Sequence, residues 1–156
     1  MGLTLGRLGA KVIMTDKEHD LVKLMEYNIA GNALNANVRA CHLDWGEAST
    51  YFSYDEFDLI VATDVILDEI GVRFLSNVLD AHVSSRTEVI FCIKTDVCFV
   101  TLSFFFSIMG SMGYVLERLV DAEGMAVGGG SEDLDVVFGS SRFVALPLDR
   151  VFEAVQ

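Results

Sequence analysis

Three short runs carry the residue types from which a binding or transfer site could be made. Asp16 closes the first β-branched run, Lys11 to Thr15. A carboxylate there can hold both hydroxyls of a ribose; it can equally favour the amino end of a following helix, where negative charge is stabilised. Asp44-Trp45-Gly46 closes a second run, Asn37 to Leu43, and Trp45 is the one tryptophan of the chain. An adenine ring needs an apolar face and an acceptor for its amino group, and Trp and Asp offer both. The alternative is a tryptophan that plugs the rim of a core. Thr63-Asp64 closes a third run, with Asp68 and Glu69 close behind. Clustered carboxylates can hold a cationic side chain or raise one another's pKa; a solvated loop and a helix start explain them as well.

The elements that must position these residues alternate between two patterns. Lys11 to Thr15, Asn37 to Leu43, Phe57 to Thr63, Glu88 to Ile93 and Tyr114 to Val120 read as strands. The nearly unbroken apolar run at Phe57 to Thr63 predicts a strand covered on both faces. Thr15-Asp16-Lys17-Glu18 is spaced as a capping box, which would leave Asp16 free. The helix it opens, about 17–31, should turn Leu21, Leu24, Met25 and Ile29 inward and stop at Gly31-Asn32. A second helix over 69–83 places Ile70, Phe74, Leu75, Val78, Leu79 and Ala81 on one side. A third covers 99–112. Asp135 to Phe138 and Arg142 to Leu148 predict a closing antiparallel pair. Strand–helix–strand alternation argues for α/β architecture with a mainly parallel sheet, whose ligands sit at the carboxyl ends of the strands.

Composition bounds the function. The 156 residues, 52% hydrophobic with one proline, fit one domain with a proper core. Eleven basic residues against 23 acidic ones give a net charge of −12, which repels phosphate backbones and excludes general nucleic-acid binding. A basic protein partner is easier to accommodate in the same field, and solubility alone explains the charge equally well. Cys41, Cys92 and Cys98 form no CxxC pair and read as small buried hydrophobes in a reducing, intracellular compartment. Histidines 19, 42 and 82 are isolated, with no metal-ligand spacing: 42 on a strand, the other two on helix surfaces. From Val97 to Leu116 there are 20 uncharged residues. That length could span a bilayer, but the serines, Thr101, Gly110 and Gly113 favour a buried core helix. Met1-Gly2-Leu3-Thr4 opens neither a secretory leader nor a myristoylation signal.

Taken together, the three strand ends resemble a known family. Leu8-Gly9-Ala10-Lys11-Val12-Ile13-Met14-Thr15-Asp16 looks like the second strand of class I, S-adenosylmethionine-dependent methyltransferases. Leu43-Asp44-Trp45-Gly46, followed by Phe57-Asp58-Leu59-Ile60-Val61-Ala62-Thr63-Asp64-Val65-Ile66-Leu67-Asp68, is similar to the seven-strand protein-lysine methyltransferases of the methyltransferase-16 group. The likeness is good from position 2 to about 95.

The resemblance implies a doubly wound, Rossmann-like, mainly parallel sheet and S-adenosylmethionine as methyl donor. It implies ribose binding by Asp16, adenine binding by Asp44 and Trp45, and Thr63 along the methionine end. Asp64 would be the catalytic residue beside the reactive methyl. The implied activity is methyl transfer to a lysine of a protein substrate, in the cytoplasm or nucleus. Two departures shape the expectation. Gly2 matches only the last glycine of the family's glycine-rich loop, so residues 1–156 read as a single partial domain, truncated before the first strand. The strands ending at Asp16 and Thr63 would then have to pair directly or leave a costly gap. And Leu67 stands where the family usually has tyrosine. The alternatives are a catalytically inactive, methyltransferase-like protein-binding module or a gene-model fragment. A nicotinamide-dependent oxidoreductase shares the acidic strand end but would need Gly-x-Gly-x-x-Gly, which is absent.

Overall fold

The computed structural model describes residues 1–53, 57–66, 68–92, 99–119 and 141–145. They form two compact units, Met1–Tyr51 and a second that begins at Phe52.

The first unit contains α1 (Gly2–Arg7), β1 (Val12–Asp16), α2 (His19–Gly31) and β2 (Val38–His42), followed by a short 3-10 turn at Ala48–Thr50. β1 and β2 pair in parallel, with Val12 opposite Val38 and Asp16 opposite His42. A parallel pair needs a crossover of a dozen or more residues, and α2 supplies it. Its carboxyl end is a Schellman motif: the Leu34 amide donates to Ile29 O at 3.1 Å and the Ala33 amide to Ala30 O at 3.0 Å. The hydrophobic contact typical of that motif is present, since Ile29, Leu34 and Val38 form the unit's buried cluster, with Leu3, Val12, Met14 and Ala40 packed against it. Ala33 takes the left-handed position, at φ 56°. α1 had no signature in the sequence pattern. It rests on the sheet because Gly6 has no side chain to collide with Val38. The Asn37 amide nitrogen donates to Gly6 O at 2.7 Å and Ala10 O at 2.8 Å, which ties the helix to the turn before β2. Gly2, read as a loop glycine, lies in this helix.

α2 buries only part of the apolar stripe that its spacing marks, Ile29 fully and Met25 by half. Val22 and Ile29 are buried, whereas Leu21 and Leu24 are exposed. The sheet it covers has only two strands among the described residues, so the buried stripe is narrower than an apolar stripe of ordinary width.

The second unit contains β3 (Leu59–Thr63), α3 (Glu69–His82), β4 (Glu88–Cys92), α4 (Phe99–Ser111), β5 (Tyr114–Leu119) and β6 (Ser141–Ala145). Its sheet order is β3-β4-β6-β5. β6 runs parallel to both neighbours, so the expected antiparallel closing pair is not what forms around residues 141–145. The stretch between β5 and β6 is long enough for the crossover that parallel pairing requires. The other half of that expectation, Asp135 to Phe138, lies outside the described residues, as do the Gly128–Gly130 loop, Leu67 and Cys98. Among the described residues, β1 belongs to a two-stranded sheet with β2, and β3 to the other sheet. β3 is half-buried along its length rather than covered on both faces, as befits the edge of its sheet.

The core of this unit lies between β4, α3 and α4. Val89, Phe91, Val72 and Phe105 are its largest fully buried side chains. The rings of Phe91 and Phe105 meet edge-on at 5.0 Å between centroids, a geometry the ring quadrupoles favour. Asp68 caps α3 by accepting the Gly71 amide at 2.7 Å. Ile70 and Phe74, placed inward by periodicity, are exposed. His82 is buried rather than on the helix surface. Its Nε2 accepts the Phe52 amide at 3.0 Å, so Nδ1 carries the hydrogen that is donated to Val78 O at 2.7 Å. Among the described residues, no helix is long and apolar enough to cross a membrane. Within the uncharged stretch of residues 97–116, α4 has 13 residues and buries Phe105, Phe106 and Met109.

Two outcomes follow from this packing. Ala33→Gly removes a left-handed strain at an exposed position, and should raise stability by about 0.5–1 kcal/mol in chemical denaturation. Burial, then the charge of Asp80, pushes the Tyr114 phenol up to about 12. An acid whose pKa is raised on folding stabilises the fold while it stays protonated in both states. Above pH ~10 the unfolded chain loses this proton first. Stability should therefore fall between pH 10 and 12, and pH-dependent melts should show a shallower fall for Tyr114→Phe.

Candidate functional site

Parallel pairing carries Asp16 and Asp44 to the same end of the first sheet. The ladder continues one bond past β2, the Leu43 amide donating to Asp16 O at 3.0 Å. The capping box does not form: Thr15 is within β1, the helix is capped from Glu18 without a side-chain bond, and the Glu18 amide donates to Asp16 Oδ1 at 2.9 Å. One carboxylate oxygen of Asp16 therefore orients the turn into α2. The other, Oδ2, has no hydrogen bond among the described residues and can accept from a hydroxyl.

Asp44 is held in the same manner. The Gly46 amide donates to Asp44 Oδ1 at 2.8 Å, and the Glu47 amide to Asp44 O at 3.0 Å. Trp45 is half-buried. Its carbonyl accepts the Tyr51 hydroxyl at 2.7 Å. Burial, and then the charge of Asp44, raises the Tyr51 phenol above its ordinary value. Histidines 19 and 42, read as isolated, stack with centroids 4.2 Å apart and planes at 19°. The reason is topological: His19 opens α2 and His42 ends β2, and parallel pairing brings those ends together. Sequence spacing gave no hint of it. Cys41 is a free, half-buried thiol rather than a buried one.

In the second unit, Thr63 ends β3 opposite Cys92 of β4. Asp64 follows at φ 55°, a left-handed conformation that costs a side chain of this kind about 1–2 kcal/mol and that Asp tolerates better than most. The turn ends the strand abruptly and leaves Asp64 Oδ1 buried. Left-handed, non-glycine residues at strand ends are enriched at functional sites. Asp68 is engaged as the cap of α3, the ordinary reading of that carboxylate.

Short parallel strands joined by helices, with acidic residues at their carboxyl ends, make a Rossmann-like α/β protein. The family model described as lysine methyltransferase matches residues 1–110, and the chain belongs to that family, the protein-lysine group of class I, S-adenosylmethionine-dependent methyltransferases. None of the curated proteins compared with the chain matches it. Proteins of this kind normally use S-adenosylmethionine. The residues present suit its nucleoside: Asp16 has an acceptor to spare for ribose hydroxyls, and Asp44 and Trp45 stand at the neighbouring strand end.

Removing either partner should weaken that binding. Trp45→Ala and Asp16→Ala should each cost S-adenosylhomocysteine roughly 1–3 kcal/mol of affinity by titration calorimetry, for a lost packing face and a lost charged hydrogen bond respectively.

Proposed function

We propose that the protein transfers a methyl group from S-adenosylmethionine to a lysine side chain of a protein substrate. The observation that carries this reading is the pair of acidic strand ends, Asp16 and Asp44-Trp45, fixed at one end of β1 and β2 in a chain of the lysine methyltransferase family. When bound, the cofactor supplies an electrophilic methyl on a sulfonium. Asp16 holds the ribose hydroxyls, and Asp44 with Trp45 holds the adenine. By the family's motif positions, Thr63 would serve the methionine end. The Asp64 carboxylate would accept a hydrogen bond from the neutral lysine amine and so orient its lone pair. As the N–CH3 bond forms the S–CH3 bond breaks, S-adenosylhomocysteine leaves, and the extra proton of the amine passes to solvent. Alignment of this kind, with water excluded, is most of what the reaction requires. A net charge of −12 favours a substrate whose lysine lies in a basic segment.

A second reading rests on Leu67. The family usually has a tyrosine there, and leucine offers neither a hydroxyl nor a polar aromatic wall to a lysine channel. On that reading the chain is a methyltransferase-like module that binds protein without modifying it.

Transfer of labelled methyl from S-adenosylmethionine into cell-extract proteins, read by mass spectrometry, separates the two. The proposal expects methyl-lysine in basic segments, with Asp64→Asn lowering turnover roughly 10²-fold while cofactor affinity stays within about threefold, less than one ordinary hydrogen bond is worth. Substrate capture without label, at saturating cofactor, would favour the binding module.

A further inference from the structure

The turn that carries Asp44 and Trp45 is held by more than its own hydrogen bonds. Thr50 Oγ1 accepts the Asp44 amide at 3.0 Å, and its one hydrogen faces Asp44 O at 3.0 Å and Glu47 O at 2.8 Å. The next residue, Tyr51, donates its hydroxyl to Trp45 O at 2.7 Å. Asp44 is thereby fixed at its amide, at its carbonyl and, through Gly46, at one carboxylate oxygen. Among the described residues, the second oxygen and the indole are what remain for a ligand. The turn from Asp44 to Glu47 is already closed by the Glu47 amide, so the bonds from Thr50 and Tyr51 are not needed to make it. They fall on the two residues read above as the adenine contacts.

We infer that Thr50 and Tyr51 are positioning residues for the nucleoside part of the cofactor site, a clasp that holds Asp44 and Trp45 in the geometry the adenine requires. The inference rests on the cofactor reading given above. Neither residue touches the ligand in this account. Each acts through the main chain of the residue it holds, and because the hydroxyl is the working group, the methyl of Thr50 is dispensable while the ring of Tyr51 serves to carry its hydroxyl to Trp45 O. A phenol is protonated at neutral pH, and burial, then the charge of Asp44, raises Tyr51 further, so its hydroxyl remains a donor.

Trp45 is the one tryptophan in the chain, so its emission reports on this turn alone. The test is a titration of the 156-residue chain with S-adenosylhomocysteine followed by that emission, together with acrylamide quenching of the ligand-free protein. The variants are Tyr51→Phe, Thr50→Val and Thr50→Ser. Ser49→Ala is the control, since among the described residues the Ser49 hydroxyl bonds Glu47 Oε1, at 2.8 Å, and not Asp44 or Trp45. A thermal melt establishes that each variant folds. We expect Tyr51→Phe and Thr50→Val to weaken binding about two- to tenfold, as loss of one ordinary hydrogen bond does, and to make Trp45 easier to quench. Thr50→Ser should restore both values, and Ser49→Ala should leave both at the wild-type level. Wild-type affinity and quenching in Tyr51→Phe and Thr50→Val would overturn the inference. So would an equal loss in Ser49→Ala, which would make the effect one of general turn stability. A wild-type chain that binds no S-adenosylhomocysteine would overturn the cofactor reading and the clasp with it, a result distinct from intact binding that the variants do not change.

Discussion

The parallel register of β1 and β2 is the constraint from which the nucleoside end of the site follows. It sets Asp16 opposite His42 and lets the Leu43 amide reach Asp16 O. One more residue brings Asp44 to the same end of the sheet. A one-residue slip would turn every side chain of a strand to the other face, and the two carboxylates would part. The register is held by the apolar cluster of Ile29, Leu34 and Val38 and by the Schellman end of α2, which fixes where β2 begins. Leu34 takes part in both, as the hydrophobic residue of the helix cap and as part of the buried cluster. A helix end so defined aims the following strand, and the site inherits its precision from that aim.

The second unit solves a different problem. Its core depends on large rings, Phe91 against Phe105, and on a buried histidine that gives each ring nitrogen one partner. The carboxyl end of β3 is made by backbone conformation: Asp64 turns the chain at φ 55° directly after the last ladder residue, Thr63. A residue that accepts the left-handed region and carries a carboxylate serves both the turn and the chemistry proposed for it.

Much of this was legible in the sequence, for identifiable reasons. The β-branched runs placed five strands to within a few residues, and Asp68 marked the start of α3. Asp16, Asp44-Trp45 and Thr63-Asp64 were singled out because strand ends are where such folds work, and they do lie at or just past the ends of β1, β2 and β3. What was missed depends on contacts between distant segments. α1 is short and leans on Gly6 meeting Val38, which no local pattern shows. The stacking of His19 on His42 and the clasp of Tyr51 on Trp45 join residues that only the folded chain makes neighbours. Helix periodicity gave the right helices but the wrong edges of their buried faces, because Leu21, Leu24, Ile70 and Phe74 mark apolar stripes wider than the surfaces that cover them. The parallel course of β6 was hidden for a related reason: two nearby strand signals look like a hairpin, and only pairing shows that the chain crosses over.

The central claim is that the ends of β1 and β2 form the nucleoside end of a methyl-donor site. The most direct measurement is a nuclear magnetic resonance titration with S-adenosylhomocysteine that follows the single Trp45 indole resonance and the Gly46 amide, with a nicotinamide dinucleotide as the competing ligand. Saturable shifts of both signals with S-adenosylhomocysteine, and none with the dinucleotide, are what the account predicts. Shifts with the dinucleotide alone, or saturable binding of S-adenosylhomocysteine that leaves Trp45 and Gly46 unmoved, would contradict it.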